Sequence, residues 1–152
     1  MPDAPNDFAA GAGGTILYYN PTSWTAQTSG TTNDLFFVRA LSATNVYALG
    51  AAGTALQYDG TKWTPLQTSG ITVALRAAGV VITETGAISD VFVVGDGGAI
   101  FHSSDGVRWS QEASGTGNNL FGVAAVSASD VFAVGALGTI LHYDGREWSK
   151  QR

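Results

Sequence analysis

The sequence states one phrase four times. It reads NDFAAGAGGTILYYNPTSW from Asn6, NVYALGAAGTALQYDGTKW from Asn45, DVFVVGDGGAIFHSSDGVRW from Asp90 and DVFAVGALGTILHYDGREW from Asp130. The four tryptophans, Trp24, Trp63, Trp109 and Trp148, fall one per copy and in register, 39, 46 and 39 residues apart. Self-similarity at a period of about 40 residues marks a repeat architecture, in which each unit buries its apolar faces against a neighbouring copy. A second shared segment runs between copies, TSGTTNDLFFVRALSAT after Trp24 and ASGTGNNLFGVAAVSAS after Trp109. The middle version carries extra residues around ITETG, between Gly70 and Asp90, and is expected to form a longer loop.

Each period holds four short runs rich in Val, Ile, Phe, Tyr and Thr. In the last copy they are LFGVAAVS, DVFAVGA, GTILHYD and EWSKQR, bounded by Gly, Asp and Ser. Runs of this kind are strands, and no window shows a sustained helical apolar face, so essentially no helix is expected. Four strands per period of about 40 residues is the pattern of a β-propeller blade. The reading is an all-β propeller domain over residues 1–152, with blade copies at about 6–30, 31–70, 71–115 and 116–152. The first copy lacks its leading, innermost strand, which leaves three full blades and one three-stranded blade, fifteen strands in all.

Composition agrees and excludes several functions. With 45% hydrophobic residues, 12% charged and 20 glycines, the chain is not of the disordered type. A net charge of -5 with seven basic residues argues against a nucleic-acid binder, which needs a cationic surplus. The absence of cysteine excludes disulfides, thiolate metal sites and cysteine nucleophiles. No run of about 18 apolar residues suggests a membrane span. The opening MPDAPNDFAAG has no basic segment followed by an apolar one, so no signal peptide is expected in it.

The pattern D-V-F-x-V-G-x-x-G-x-I-x-H-x-x-D-G-x-x-W resembles the BNR and Ycf48-like propeller repeats and, more distantly, bacterial propeller lectins. The BNR resemblance implies an Asp box at the turn between third and fourth strands. SSDGVRW, from Ser103 to Trp109, is the nearest match, whereas YNPTSW lacks both the Asp and the Gly. An arc of four blades leaves apolar faces at both ends, and closure as a homodimeric ring of about eight blades is the expected remedy. A fragment of a larger propeller and a four-bladed monomer are the alternatives.

Within the phrase, the paired glycines (Gly11 and Gly14, Gly50 and Gly53, Gly95 and Gly98, Gly135 and Gly138) suit tight hairpin turns that need positive φ. Asp59, Asp105 and Asp144 read as turn formers, and the tryptophans as wedges between blades with the indole N–H partnered. The positions that match in place but differ in chemistry are more informative. Four residues past the second glycine stand Tyr18, Gln57, His102 and His142, each able to hydrogen-bond, as a lectin would repeat a weak pocket. Bonding to backbone or a place at a blade edge is the structural alternative. With no acid apparent in the same register, the histidines are not read as metal ligands. Arg39 and Arg76 fall on innermost-strand segments, where an arginine receives an anionic group or pairs with an acid.

BNR sialidases use an arginine cluster with a Tyr-Glu pair, and that resemblance does not carry activity over, because only two arginines sit on these strands and a single chain lacks the usual blade count. No carboxylate pair, nucleophile elbow or phosphate loop is present either. The function expected from sequence is therefore non-catalytic binding without cofactor or metal. Carbohydrate is the first-choice ligand, held at Tyr18, Gln57, His102, His142, Arg39 and Arg76. The alternative is a protein-interaction or assembly scaffold of the Ycf48-like type.

Overall fold

The computed structural model describes residues 7–68 and 70–152, so the first residue of the first copy, Asn6, lies outside the described residues. Among the described residues there are fifteen strands, in four separate antiparallel sheets. Blade 1 contains β1 (Asp7–Ala10), β2 (Ile16–Asn20) and β3 (Ser23–Gln27). Blade 2 contains β4 (Leu35–Ser42), β5 (Asn45–Gly50), β6 (Ala55–Tyr58) and β7 (Trp63–Pro65). Blade 3 is built of β8 (Leu75–Ile82), β9 (Ile88–Gly95), β10 (Ile100–Ser103) and β11 (Ser110–Glu112). Blade 4 is built of β12 (Leu120–Ser127), β13 (Asp130–Gly135), β14 (Ile140–Tyr143) and β15 (Trp148–Lys150). Every sheet is an up-and-down meander in chain order. The strand count, the three-stranded first sheet and the near absence of helix all follow the sequence expectation. The helical content among described residues is four three-residue 3-10 turns, one between the first and second strands of each phrase.

The ITETG insertion forms the longer loop expected of it: residues 83–87 connect β8 and β9, where two residues, 43–44 or 128–129, connect the corresponding strands of the second and fourth sheets. The pairing runs as far as Ile82↔Ile88 and closes through Thr83 N–H to Ala87 O (2.8 Å). One sequence expectation is corrected. The two glycines of each phrase do different jobs. Only the second needs positive φ, as at Gly53 (+71°). The first is extended, and at Gly50 it is close approach that demands glycine, because a Cβ there would stand 2.1 Å from Asp34 O.

The chain divides into two compact units, Met1–Thr72 and Val73–Arg152. In the first unit, Phe8, Ala10 and Ile16 of blade 1 pack against Val46, Ala48, Leu56, Tyr58 and Trp63 of blade 2. Alternation explains this layer: positions 46 and 48 of β5 share one face, and hydrophobic side chains occupy both. In the second unit, Phe92, Val94 and Ile100 of blade 3 and Leu120, Val131, Ala133 and Leu141 of blade 4 are fully buried. Ring contacts from Phe92 to Tyr143 and Trp148 join these two sheets.

Candidate functional site

The four register positions lie on the second strand of each phrase (β2, β6, β10 and β14), and three of them are bonded inside their own blade. His102 Nε2 lies 2.8 Å from Asp90 Oδ1, and His142 Nε2 lies 2.9 Å from Asp130 Oδ1. Gln57 Nε2 donates to Asn45 Oδ1 and to Tyr47 Oη, each at 3.1 Å. The acid or amide is always the first residue of the phrase, twelve positions earlier. Acids in the histidines' register do therefore exist, contrary to the sequence expectation. Cross-strand geometry places them: His102 pairs directly with Phe92, and Asp90 sits one diagonal step away on the same face. Stacking completes each clamp, with His102 on Phe92 at 4.2 Å and 3°, and His142 on Phe132 at 4.6 Å and 28°. Tyr18 packs against Phe8 at 5.1 Å. A fourth-strand hydroxyl then bonds the carbonyl of each register residue, from Thr25, Thr64, Ser110 and Ser149.

Around His102 the clamp extends across a blade boundary. His102 Nδ1 is 3.2 Å from Glu112 Oε1, and Glu112 Oε2 accepts the indole N–H of Trp148 at 2.6 Å. One carboxylate of blade 3 thus ties an imidazole of its own sheet to an indole of blade 4. The Tyr143 phenol beside it is raised by burial first and by the Glu112 charge second. The expectation of a partner for every indole is corrected, because Trp63 Nε1 and Trp109 Nε1 are buried without one among the described residues. In the first unit Gln27 stands where Glu112 stands, three residues past its tryptophan, and its amide does not reach Trp63.

The two arginines are not equivalent. Arg76, on β8, makes a bidentate ion pair with Asp96, both contacts at 2.8 Å. The shared hydrogen bonds raise the guanidinium and lower the carboxyl. Its counterparts on β4 and β12 are Phe36 and Phe121, both exposed. Arg39 is exposed on β4, where the matching positions are Gly79 and Ala124. The repeats substitute in pairs: arginine enters at position 76 in the one blade whose turn carries an acid at position 96.

The turn acids have a structural role. Asp105 Oδ1 accepts the backbone N–H of Val107 and Arg108, and Asp144 Oδ1 those of Arg146 and Glu147. Asp59 Oδ1 accepts those of Thr61 and Lys62 and the Thr61 hydroxyl, with its carboxyl held down to about 2, the hydroxyl being the largest cause. In YNPTSW, Asn20 closes the same turn with Thr22 and Ser23. Among the described residues no group of three or more His, Cys, Asp or Glu could hold a metal ion. A recess of about 240 Å³ is lined by His102, Ser103, Ser104, Arg108, Trp109 and Ser110.

No protein-family model and no curated protein matches this sequence. Solved structures do. A YCF48 structure bound to a D1 peptide is 20% identical with a TM-score of 0.68, over 93% of this chain and 45% of that one. YCF48 from Cyanidioschyzon merolae is 17% identical with a TM-score of 0.67, over 99% of this chain and 58% of that one. The chain therefore has a propeller fold like that of YCF48 and spans about half the length of these neighbours.

Proposed function

We propose that this chain is a non-catalytic, protein-binding propeller module. The observation that carries the reading is the first strand of the blades, where Phe36 and Phe121 occupy the same register and are 42% and 53% exposed. Alternation would let a polar residue stand at either place. Exposed aromatic side chains are what protein interfaces enrich and soluble surfaces otherwise limit. The peptide-bound YCF48 structure supports a polypeptide as the class of ligand for this fold. Carbohydrate binding finds no such support, and polar side-chain atoms of Gln57, His102 and His142 are engaged within their own blades.

A peptide-display library panned on the chain, followed by anisotropy titration of the enriched peptides, tests the reading. Apolar peptides should bind, and Phe121→Ala or Phe36→Ala should weaken them at least about tenfold, as for an aromatic anchor. Absence of any enriched peptide, together with glycan-array binding that His102→Ala at the recess abolishes, would replace protein with carbohydrate.

A further inference from the structure

Blade 4 exposes the face that blade 3 buries. Phe92, Val94 and Ile100 are each 0% exposed, whereas their counterparts Phe132, Val134 and Ile140 are 39%, 47% and 41% exposed. What covers this face is visible twice in the molecule. Phe92 meets Tyr143 at 5.5 Å and Trp148 at 6.2 Å, and Phe8 meets Tyr58 at 5.5 Å and Trp63 at 5.7 Å. The covering face is thus a Leu-x-Tyr strand followed by the phrase tryptophan.

Blade 1 carries a third such face, which no described residue covers as Phe92 and Phe8 cover the other two. Leu17, Tyr19 and Trp24 match Leu141, Tyr143 and Trp148, and the Tyr–Trp ring distance is 5.2 Å in both blades. Yet Trp24 is 51% exposed against 7% for Trp63 and 8% for Trp148. The polar fringe matches as well. Glu112 accepts the Trp148 N–H, and its counterpart in blade 4 is Gln151, whose amide oxygen can accept from an indole.

We infer that a second copy of this chain docks the blade 1 face of one molecule on the blade 4 face of the other. Phe132, Val134 and Ile140 then receive Leu17, Tyr19 and Trp24, continuing an interface the chain already makes in each unit. Head-to-tail contacts either close or propagate. Two copies contribute eight sheets, within the range of closed propellers, so the pair is the expected species. This inference concerns a different surface from the protein-binding reading and stands apart from it.

Sedimentation of the 152-residue chain tests it. At tens of micromolar the wild type should run near twice the 15.7 kDa chain mass. Trp24→Glu and Phe132→Glu should each raise the dissociation constant at least about 30-fold, the effect of a hot-spot aromatic. Mixing the two variants should restore a two-chain species where each alone is single, because one intact head meets one intact tail. Near-UV circular dichroism verifies folding, and Val134→Lys serves in place of Phe132→Glu if that variant is not native. A wild type at single-chain mass overturns the inference, as does a species growing past two chains. Variants that leave the pair intact overturn it too. A mixture that stays single overturns it in favour of like faces meeting.

Discussion

The two units build the same blade interface with different polar edges. The aromatic centre is almost superimposable in its measures: Tyr58–Trp63 and Tyr143–Trp148 both stand at 5.2 Å, tilted 34° and 33°. Phe8 and Phe92 each meet the partner tyrosine at 5.5 Å, at 60° and 58°. The fringe diverges. In the second unit Glu112 joins His102 to the Trp148 indole, while in the first the Trp63 N–H is buried without a partner. Packing of large rings dictates one geometry and tolerates no drift. A hydrogen bond at the rim contributes about 1 kcal/mol and can be lost from one copy without losing the fold.

The largest effect should come from the shared centre. Phe92→Ala removes a fully buried ring and should cost about 3–5 kcal/mol, whereas Phe8→Ala, at a half-buried site, should cost about half as much. Urea unfolding followed by tryptophan fluorescence measures both. Equal losses would mean that the two interfaces are closer in burial than their exposures indicate.

Next comes the fringe itself. Glu112→Ala strands the Trp148 N–H and one His102 nitrogen, and should cost about 1–3 kcal/mol. Gln27→Ala, at the matching place in the first unit, should change stability little. Gln27→Glu offers Trp63 the acceptor it lacks and should stabilise by up to about 1 kcal/mol. If Glu112→Ala proves silent, the comparison between the fringes collapses.

How far this was legible in sequence depends on what each residue's partner is. The strands, their count and the short first sheet follow from period and alternation, because a blade's hydrogen bonds and apolar faces are set by local pattern. The clamp was legible too, but through paired substitution rather than type. Asp90 and Asp130 accompany His102 and His142, Asn45 accompanies Gln57, and the spacing is always twelve. Arg76 and Asp96 likewise change together, twenty residues apart. Glu112 was not legible, since its link to Trp148 crosses between blades and has no counterpart in the other copies to compare. The exposure of Phe132 and Trp24 was equally hidden at the level of residues, because their sequences match those of buried counterparts.

A smaller effect separates the glycine turns. The middle residue is left-handed in all four, but it is glycine at Gly13 (φ 63°) and Gly97 (φ 68°), alanine at Ala52 (φ 53°) and leucine at Leu137 (φ 55°). A side chain in this region costs about 1–2 kcal/mol, partly offset by the chain entropy that glycine loses on folding. Leu137, nearly fully exposed, contributes no packing that would compensate. Leu137→Gly should therefore stabilise by about 0.5–1 kcal/mol, and Gly97→Ala should destabilise by a similar amount. Thermal unfolding of the two variants measures the pair, and matching signs would show that the turns are not alike.

The smallest effect concerns the turns between third and fourth strands, where blade 1 uses Asn20 and blade 2 uses Asp59. Both accept two backbone N–H groups, but only Asp59 titrates, with its carboxyl lowered from 3.8 to about 2 by the Thr61 hydroxyl and the Lys62 and Thr61 amides. A carboxyl depressed on folding lends stability that is complete above its unfolded value and is lost as pH falls through its folded value. Asp59→Asn makes blade 2 resemble blade 1 and should remove that dependence. Urea unfolding of wild type and variant should differ most above about pH 4, converge between pH 4 and 2, and coincide below. A difference that persists unchanged at pH 2 would show that the aspartate acts there through shape alone, as Asn20 does.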